Sequence, residues 1–224
     1  MSNRVLITGA SGFIGRHTMQ ALMRSGTDVV ATTRDATLAH SVEPCIEWIE
    51  EDLLDPSAAN RIANTARADT LLHLAWDVSS GYWTSKRNLD WLEASQRLAR
   101  CFADRGGKRI ISAGTCAEYD WSFQSFKIED LNETIGPFAP ATLYAQTKLS
   151  LRQDLSIWSQ ANGLSYATGL LFFIYGPQEQ PSRLIPYVIA NLIARRSVRV
   201  STGYQIRDYL DVRDAAQALM MLSI

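Results

Sequence analysis

Three glycines spaced by three, in Thr8-Gly9-Ala10-Ser11-Gly12-Phe13-Ile14-Gly15, stand between a β-branched run (Arg4 to Thr8) and a stretch of helical period (Phe13 to Ser25). At a strand-to-helix junction this spacing has a mechanical meaning. The first glycine makes the tight turn, the second lets the backbone approach a pyrophosphate, and the third lets the helix pack close to the sheet. Amides and dipole at the helix N-terminus then hold the anion. A chain that opens this way is committed to a βα unit, and the expected ligand is a dinucleotide cradled by Gly9, Ser11, Gly12, Phe13, Ile14 and Gly15.

The alternation continues. Further strands are expected at Asp28 to Thr33, Cys45 to Ile49, Asp69 to Leu74, Lys108 to Ser112 and Tyr166 to Phe172, with helical stretches at Pro56 to Ala66, Trp83 to Asp104 and Thr142 to Ala161. Strands that alternate with helices predict an α/β fold, a Rossmann-type doubly wound parallel sheet with helices on both faces. Within Trp83 to Asp104, Leu89, Leu92, Leu98 and Phe102 recur at helical steps or their multiples, giving one buried stripe that Gly106-Gly107 closes as a C-cap. The segment from Glu118 to Pro140 is rich in turn formers and aromatics and too long for a passive connection, so it is expected to cover a site. Beyond Gly176 come a proline-containing segment, a helix near Leu184 to Arg195, a short strand at Ser197 to Ser201 and a last helical run from Val212.

Composition narrows the partners. With 22 basic and 23 acidic side chains, the net charge is −1, which provides neither a nucleic-acid footprint nor a membrane-surface patch. No apolar run approaches the ~18 residues of a spanning helix, and the N-terminus lacks the apolar region of a signal peptide. Cys45, Cys101 and Cys116 are odd in number and far apart, without metal-ligand spacing, so reduced thiols, no metal and a cytoplasmic setting are expected.

Choice of dinucleotide falls to the end of the second strand. An acid there would accept the ribose hydroxyls of NAD, whereas an arginine would pair with the extra phosphate of NADP. Thr32-Thr33-Arg34 puts Arg34 at that place, so NADP is the preferred cofactor, and Asp35 keeps NAD open. Asp52 and Leu53, after the third strand, are candidates for the adenine ring, although Asp52 equally suits a turn or a helix cap. Tyr144 and Lys148 lie four residues apart on one helix face. A phenol with an ordinary pKa of about 10 moves protons poorly at neutral pH, and an adjacent ammonium would pull that value down. A third member is expected where the fifth strand ends, in Ile111-Ser112-Ala113-Gly114-Thr115-Cys116-Ala117-Glu118-Tyr119.

In order along the chain, Thr8 to Gly15, His73-Leu74-Ala75, Ser112 to Tyr119, Tyr144 to Lys148, Tyr175-Gly176-Pro177, and Arg207-Asp208-Tyr209 with Val212 and Asp214 resemble the motifs of the extended short-chain dehydrogenase/reductase superfamily. The branch is the NAD(P)-dependent nucleotide-sugar epimerases and dehydratases. The resemblance implies that Thr115 hydrogen-bonds the reacting oxygen, Tyr144 moves the proton, Lys148 tunes it and holds the nicotinamide ribose, and Asn88 holds the active-site geometry. It also implies that Leu74 and Ala75 line the cofactor, while His73 only holds the strand end.

Departures matter as much. The two acids that follow the catalytic threonine in the family's 4,6-dehydratases are Cys116 and Ala117 here, which argues against that elimination. Glu118 falls one position late and is expected to point elsewhere. Phe173 replaces the asparagine that touches the sugar diphosphate, and Arg207 keeps the phosphate-binding place. Trp76, Asp77, Tyr82, Trp83, Tyr119 and Trp121 make an aromatic-rich set suited to a sugar face. Candidate substrate contacts are therefore Trp76, Trp83, Cys116, Phe173 and Arg207.

The resemblance implies an oxidoreductase of nucleotide sugars, either a 4-keto-6-deoxy-sugar reductase or an epimerase. A small-carbonyl reductase and a non-catalytic NADP sensor are the alternatives. By analogy a homodimer is expected. Residues 1–176 are read as the dinucleotide-binding domain and 177–224 as a shortened substrate lobe interleaved with it, because family members usually run longer.

Overall fold

A computed structural model describes residues 4–35, 37, 43, 45–120, 138–201, 203, 205 and 207–224. Six strands, β1 (Arg4–Thr8), β2 (Asp28–Thr33), β3 (Glu47–Glu50), β4 (Thr70–His73), β5 (Arg109–Thr115) and β6 (Ser165–Leu171), form one parallel sheet in the order β3-β2-β1-β4-β5-β6. Helices α1 (Phe13–Arg24), α2 (Ala58–Ala66), α3 (Arg87–Asp104) and α4 (Leu143–Ala161) make the crossovers. This is the Rossmann-type α/β fold. A second, two-stranded sheet of β7 (Phe173–Tyr175) and β8 (Tyr209–Asp211) follows, with α5 (Leu184–Ile193) between its strands and α6 (Val212–Ser223) after them.

Register explains why the sheet is covered on both faces. Leu6 pairs with Val30 and Leu71, Leu71 with Ile110, and Ile110 with Tyr166, so these side chains share one face. There they pack with Ile62 and Ala66 of α2, Trp91, Leu98 and Phe102 of α3, and Leu151 and Leu155 of α4. The adjacent positions Val5, Ile7, Ala31, Leu72 and Ile111 point the other way and pack with Met19 and Leu22 of α1 and with Leu219 and Met220 of α6. Strand order reverses between β1 and β4, which opens a crevice at their carboxyl ends, the place where open α/β sheets bind ligands.

Several expectations shift. The helix expected from Trp83 begins at Arg87, because 79–85 is a chain of tight turns: Tyr82 N–H donates to Ser79, Thr84 to Gly81 and Ser85 to Tyr82, with Gly81 at φ +81°. The stripe predicted from Leu89 is rotated as well. Leu89 is 51% exposed and the buried positions are Asn88, Trp91, Ala94, Ser95, Leu98, Ala99 and Phe102. Two of these are polar and find their partners elsewhere in the fold. Residues 197–201 form no strand. Trp121 and most of the segment expected to cover the site lie outside the described residues.

Candidate functional site

The glycine turn closes on itself. Gly9 adopts φ +70°, and a Cβ there would stand 2.8 Å from the Ala75 nitrogen, so β1 and β4 approach too closely for any side chain. A Cβ at Gly15 would overlap the Gly9 carbonyl. Gly12 N–H donates to the Gly9 carbonyl at 3.0 Å, and Arg16 Nη2 donates to the Ser11 carbonyl at 2.7 Å. Helix α1 then starts with no side-chain cap and no acid in its first turn, which leaves its N-terminal amides and dipole for an anion. These residues fit a dinucleotide pyrophosphate.

Leu74 and Ala75 lie across the crevice from the turn, their N–H groups donating to Thr8 Oγ1 at 3.2 Å each. Arg34 is exposed at the end of β2; the Asp77 carboxyl, beyond β4, is held below its ordinary range first by hydrogen bonds from Ser79 and then by the charges of Arg87 and Arg34. Asp52 accepts from Leu54 N–H at 3.0 Å and so acts as a turn former, while the Leu53 side chain is part of the core.

Tyr144 and Lys148 sit in the first turns of α4. Thr142 caps that helix by accepting from Ala145 N–H at 3.2 Å, and the Tyr144 N–H finds the Trp83 carbonyl at 3.1 Å. Three rings stand edge-on to the Tyr144 phenol: Tyr82 at 4.8 Å, Trp83 at 5.5 Å and Trp76 at 6.4 Å between centroids. Lys148 Nζ lies 4.4 Å from the centroid of Trp76, a cation–π contact. Asn88 is buried and fastens this wall together. Its Nδ2 donates to the Tyr82 and Ser85 carbonyls at 2.7 and 2.9 Å, and its Oδ1 accepts from Trp76 Nε1 at 2.9 Å.

Thr115 ends β5 opposite Tyr144 and opens a short 3-10 turn, Cys116–Glu118. Its Oγ1 accepts from Ala117 N–H at 3.2 Å, which leaves its proton to donate. The Thr115 side chain lies beside the Tyr144 phenol and favours its ionised form. Burial nonetheless dominates and pushes the Tyr144 phenol above its ordinary value, with Thr115 offsetting only part. This reverses the expected direction, in which Lys148 would lower it. Desolvation in turn lowers Lys148 to about 8, against the opposing charge of Glu118. Cys116 is pushed up to about 11 by burial, so its thiol keeps its proton at neutral pH.

Trp76, Trp83 and Cys116 thus gather at Tyr144. Phe173 stacks at a tilt on Tyr209 across the small sheet, with the Arg207 guanidinium 5.3 Å from its ring centre, and the Arg207 charge reaches Cys116. Two further residues join the site: Arg183, which the sequence did not single out, and Glu118, which it set aside. Arg183, at the start of α5, lies beside Tyr82, and its charge favours the ionised form of that phenol against burial. Glu118, one position late for acid-base work, is fully buried beneath Thr115, behind the reacting groups. Its signal was present as Thr115-x-x-Glu118, the spacing of a capping box.

The model of the NAD-dependent epimerase/dehydratase family matches residues 5–223. CDP-abequose synthase of Salmonella typhimurium is 26% identical over 224 residues, 97% of this chain and 69% of that protein. A dTDP-glucose 4,6-dehydratase of Neisseria meningitidis is 26% identical over 237 residues, 96% of this chain and 66% of its own length. The chain thus spans about two thirds of these relatives. Among solved structures, UDP-glucose 4-epimerase of Thermus thermophilus in complex with NAD superposes with a TM-score of 0.81 at 25% identity, over 97% of this chain and 73% of that one. Fold, glycine turn and family match agree: the chain belongs to the NAD-dependent epimerase/dehydratase family.

Proposed function

We propose that this chain is an oxidoreductase of nucleotide sugars, acting as a keto-sugar reductase or as an epimerase that oxidises and re-reduces one carbon. The observation that carries the reading is the meeting of Thr115, Tyr144 and Lys148, buried together on the carboxyl side of the sheet that holds the glycine turn. When bound, the dinucleotide supplies hydride exchange at its nicotinamide. Tyr144, held as the phenol by burial, donates its proton to a substrate carbonyl oxygen, and Thr115 donates a hydrogen bond to the same oxygen. Lys148 as ammonium stabilises the phenolate that remains, and the surrounding rings exclude water.

Cys116 and Ala117 support reduction or epimerisation over loss of water. A thiol with a pKa of about 11 and a methyl group provide neither the acid nor the base of a 4,6-elimination. Arg34, exposed at the end of β2, would pair with an adenosine 2′-phosphate, which supports NADP over NAD. Arg207, Trp76 and Trp83 suit the phosphates and the sugar face, and a second copy of the chain is the expected partner.

The test incubates the protein with a panel of nucleotide keto-sugars, with NADPH and NADH side by side, and follows their absorbance. Stoichiometric loss of NADPH identifies a reductase, and equal use of NADH sinks the NADP reading. Tyr144→Phe should lower kcat by at least ~100-fold. A variant that turns over at the wild-type rate sinks the catalytic assignment.

A further inference from the structure

A fully buried carboxylate is costly unless every oxygen is engaged, and Glu118 meets that demand with both. Oε1 accepts from the Thr115 backbone N–H at 2.9 Å, and Oε2 accepts from Arg152 Nε at 2.8 Å. Gly114 provides the room, since a Cβ there would stand 2.9 Å from Oε1. Arg152 lies one helical turn beyond Lys148 on α4, with its guanidinium 4.2 Å from the Phe138 ring centre. The carboxylate is therefore wedged behind the reacting groups. One oxygen closes the turn that fixes Thr115, and the other is tied to the helix that bears Tyr144 and Lys148.

We propose that Glu118 is a positioning residue of this site, locking the Thr115 turn onto α4 and balancing the Lys148 ammonium from behind. The inference rests on the reading of Thr115, Tyr144 and Lys148 as the reacting set. Its charge opposes the burial of Lys148 and acts also on Tyr144, Cys116 and Tyr166 of β6. Among the described residues, the other titratable group coupled to Lys148 is His73 of β4, held neutral chiefly by its own burial.

The experiment reads Lys148 without cofactor or substrate. The chain holds four lysines, so carbon-13 labelling at lysine Cε gives few resonances, and Lys148→Arg identifies the one that matters. In the wild type this signal should titrate near 8. Glu118→Gln keeps an oxygen for the Thr115 N–H and removes the charge, so the midpoint should fall by about 1 pH unit. Glu118→Met removes the same charge with a side chain of similar length. It therefore decides the matter if Glu118→Gln does not fold. A midpoint that stays in place in the folded variants overturns the inference. A shifted midpoint in a protein that turns over no keto-sugar supports the Glu118–Lys148 coupling and sinks the functional reading alone.

Discussion

His73 has both ring nitrogens engaged in the middle of the sheet, and their partners fix its tautomer. Ser95 Oγ spends its proton on the Trp91 carbonyl at 2.6 Å, so it accepts from His73 Nε2–H at 2.8 Å. Nδ1 is then the acceptor for the Thr8 hydroxyl, also at 2.8 Å, while Thr8 Oγ1 receives the Leu74 and Ala75 N–H groups. The neutral ring thus braces the β1–β4 crevice through Thr8. Burial, with the Lys148 charge behind it, lowers its pKa to about 3. Because the folded value lies below the ordinary 6.5, the unfolded chain takes the proton first, and stability is lost as pH falls from 6.5 towards 3. From pH 7 to 4.5 this one group should cost the wild type about 2–3 kcal/mol. Urea titrations of wild type and His73→Gln at both pH values check it. Parallel pH profiles would show that the ring does not titrate with folding.

At the scale of elements, the turn that precedes α3 shapes the wall around Tyr144, and Asn88 pins that turn. Asn88→Ala would leave the Trp76 indole N–H without its acceptor and take one of two donors from each of the Tyr82 and Ser85 carbonyls, a cost of about 1–3 kcal/mol. Chemical unfolding measures it, and a loss below ~0.5 kcal/mol would mean that the turn holds itself. The same element shows where sequence reasoning stops. Alternating strands and helices, the glycine turn and the Tyr144–Lys148 spacing are local patterns, and the sheet follows them closely. By contrast, Asn88 and Ser95 are buried because Tyr82, Trp76 and His73 come to meet them, and no helical period announces that. Glu118 divides the same way. Its capping-box spacing to Thr115 is local, but Arg152, which makes its burial tolerable, lies 34 residues on. The direction of the Tyr144 shift was hidden for a like reason, since burial among Trp76, Tyr82 and Trp83 outweighs the opposing effect of the Thr115 hydroxyl.

Over the whole molecule, order along the chain and depth in the core part company after β6. Helix α5 is apolar yet has no buried residue, and Ile193 at its end is 79% exposed. Helix α6, further along, returns to the main sheet. Leu219 and Met220 pack among Val5, Ile7 and Ile111, a Cβ at Gly169 would stand 2.9 Å from Leu219 Cδ2, and Arg109 Nε donates to the Leu222 carbonyl at 2.7 Å. The first and last helices thus cover the same face, and the dinucleotide turn at the start of α1 is braced by residues some two hundred positions away. Leu219→Ala opens a cavity in that face and should cost about 2–5 kcal/mol. Ile193→Ala removes the same number of carbons from an exposed position and should change stability by no more than ~0.5 kcal/mol. Denaturant unfolding of the two variants compares them directly. If their losses are equal, α6 is not part of the cooperative body, and the α1 face must hold the glycine turn without it.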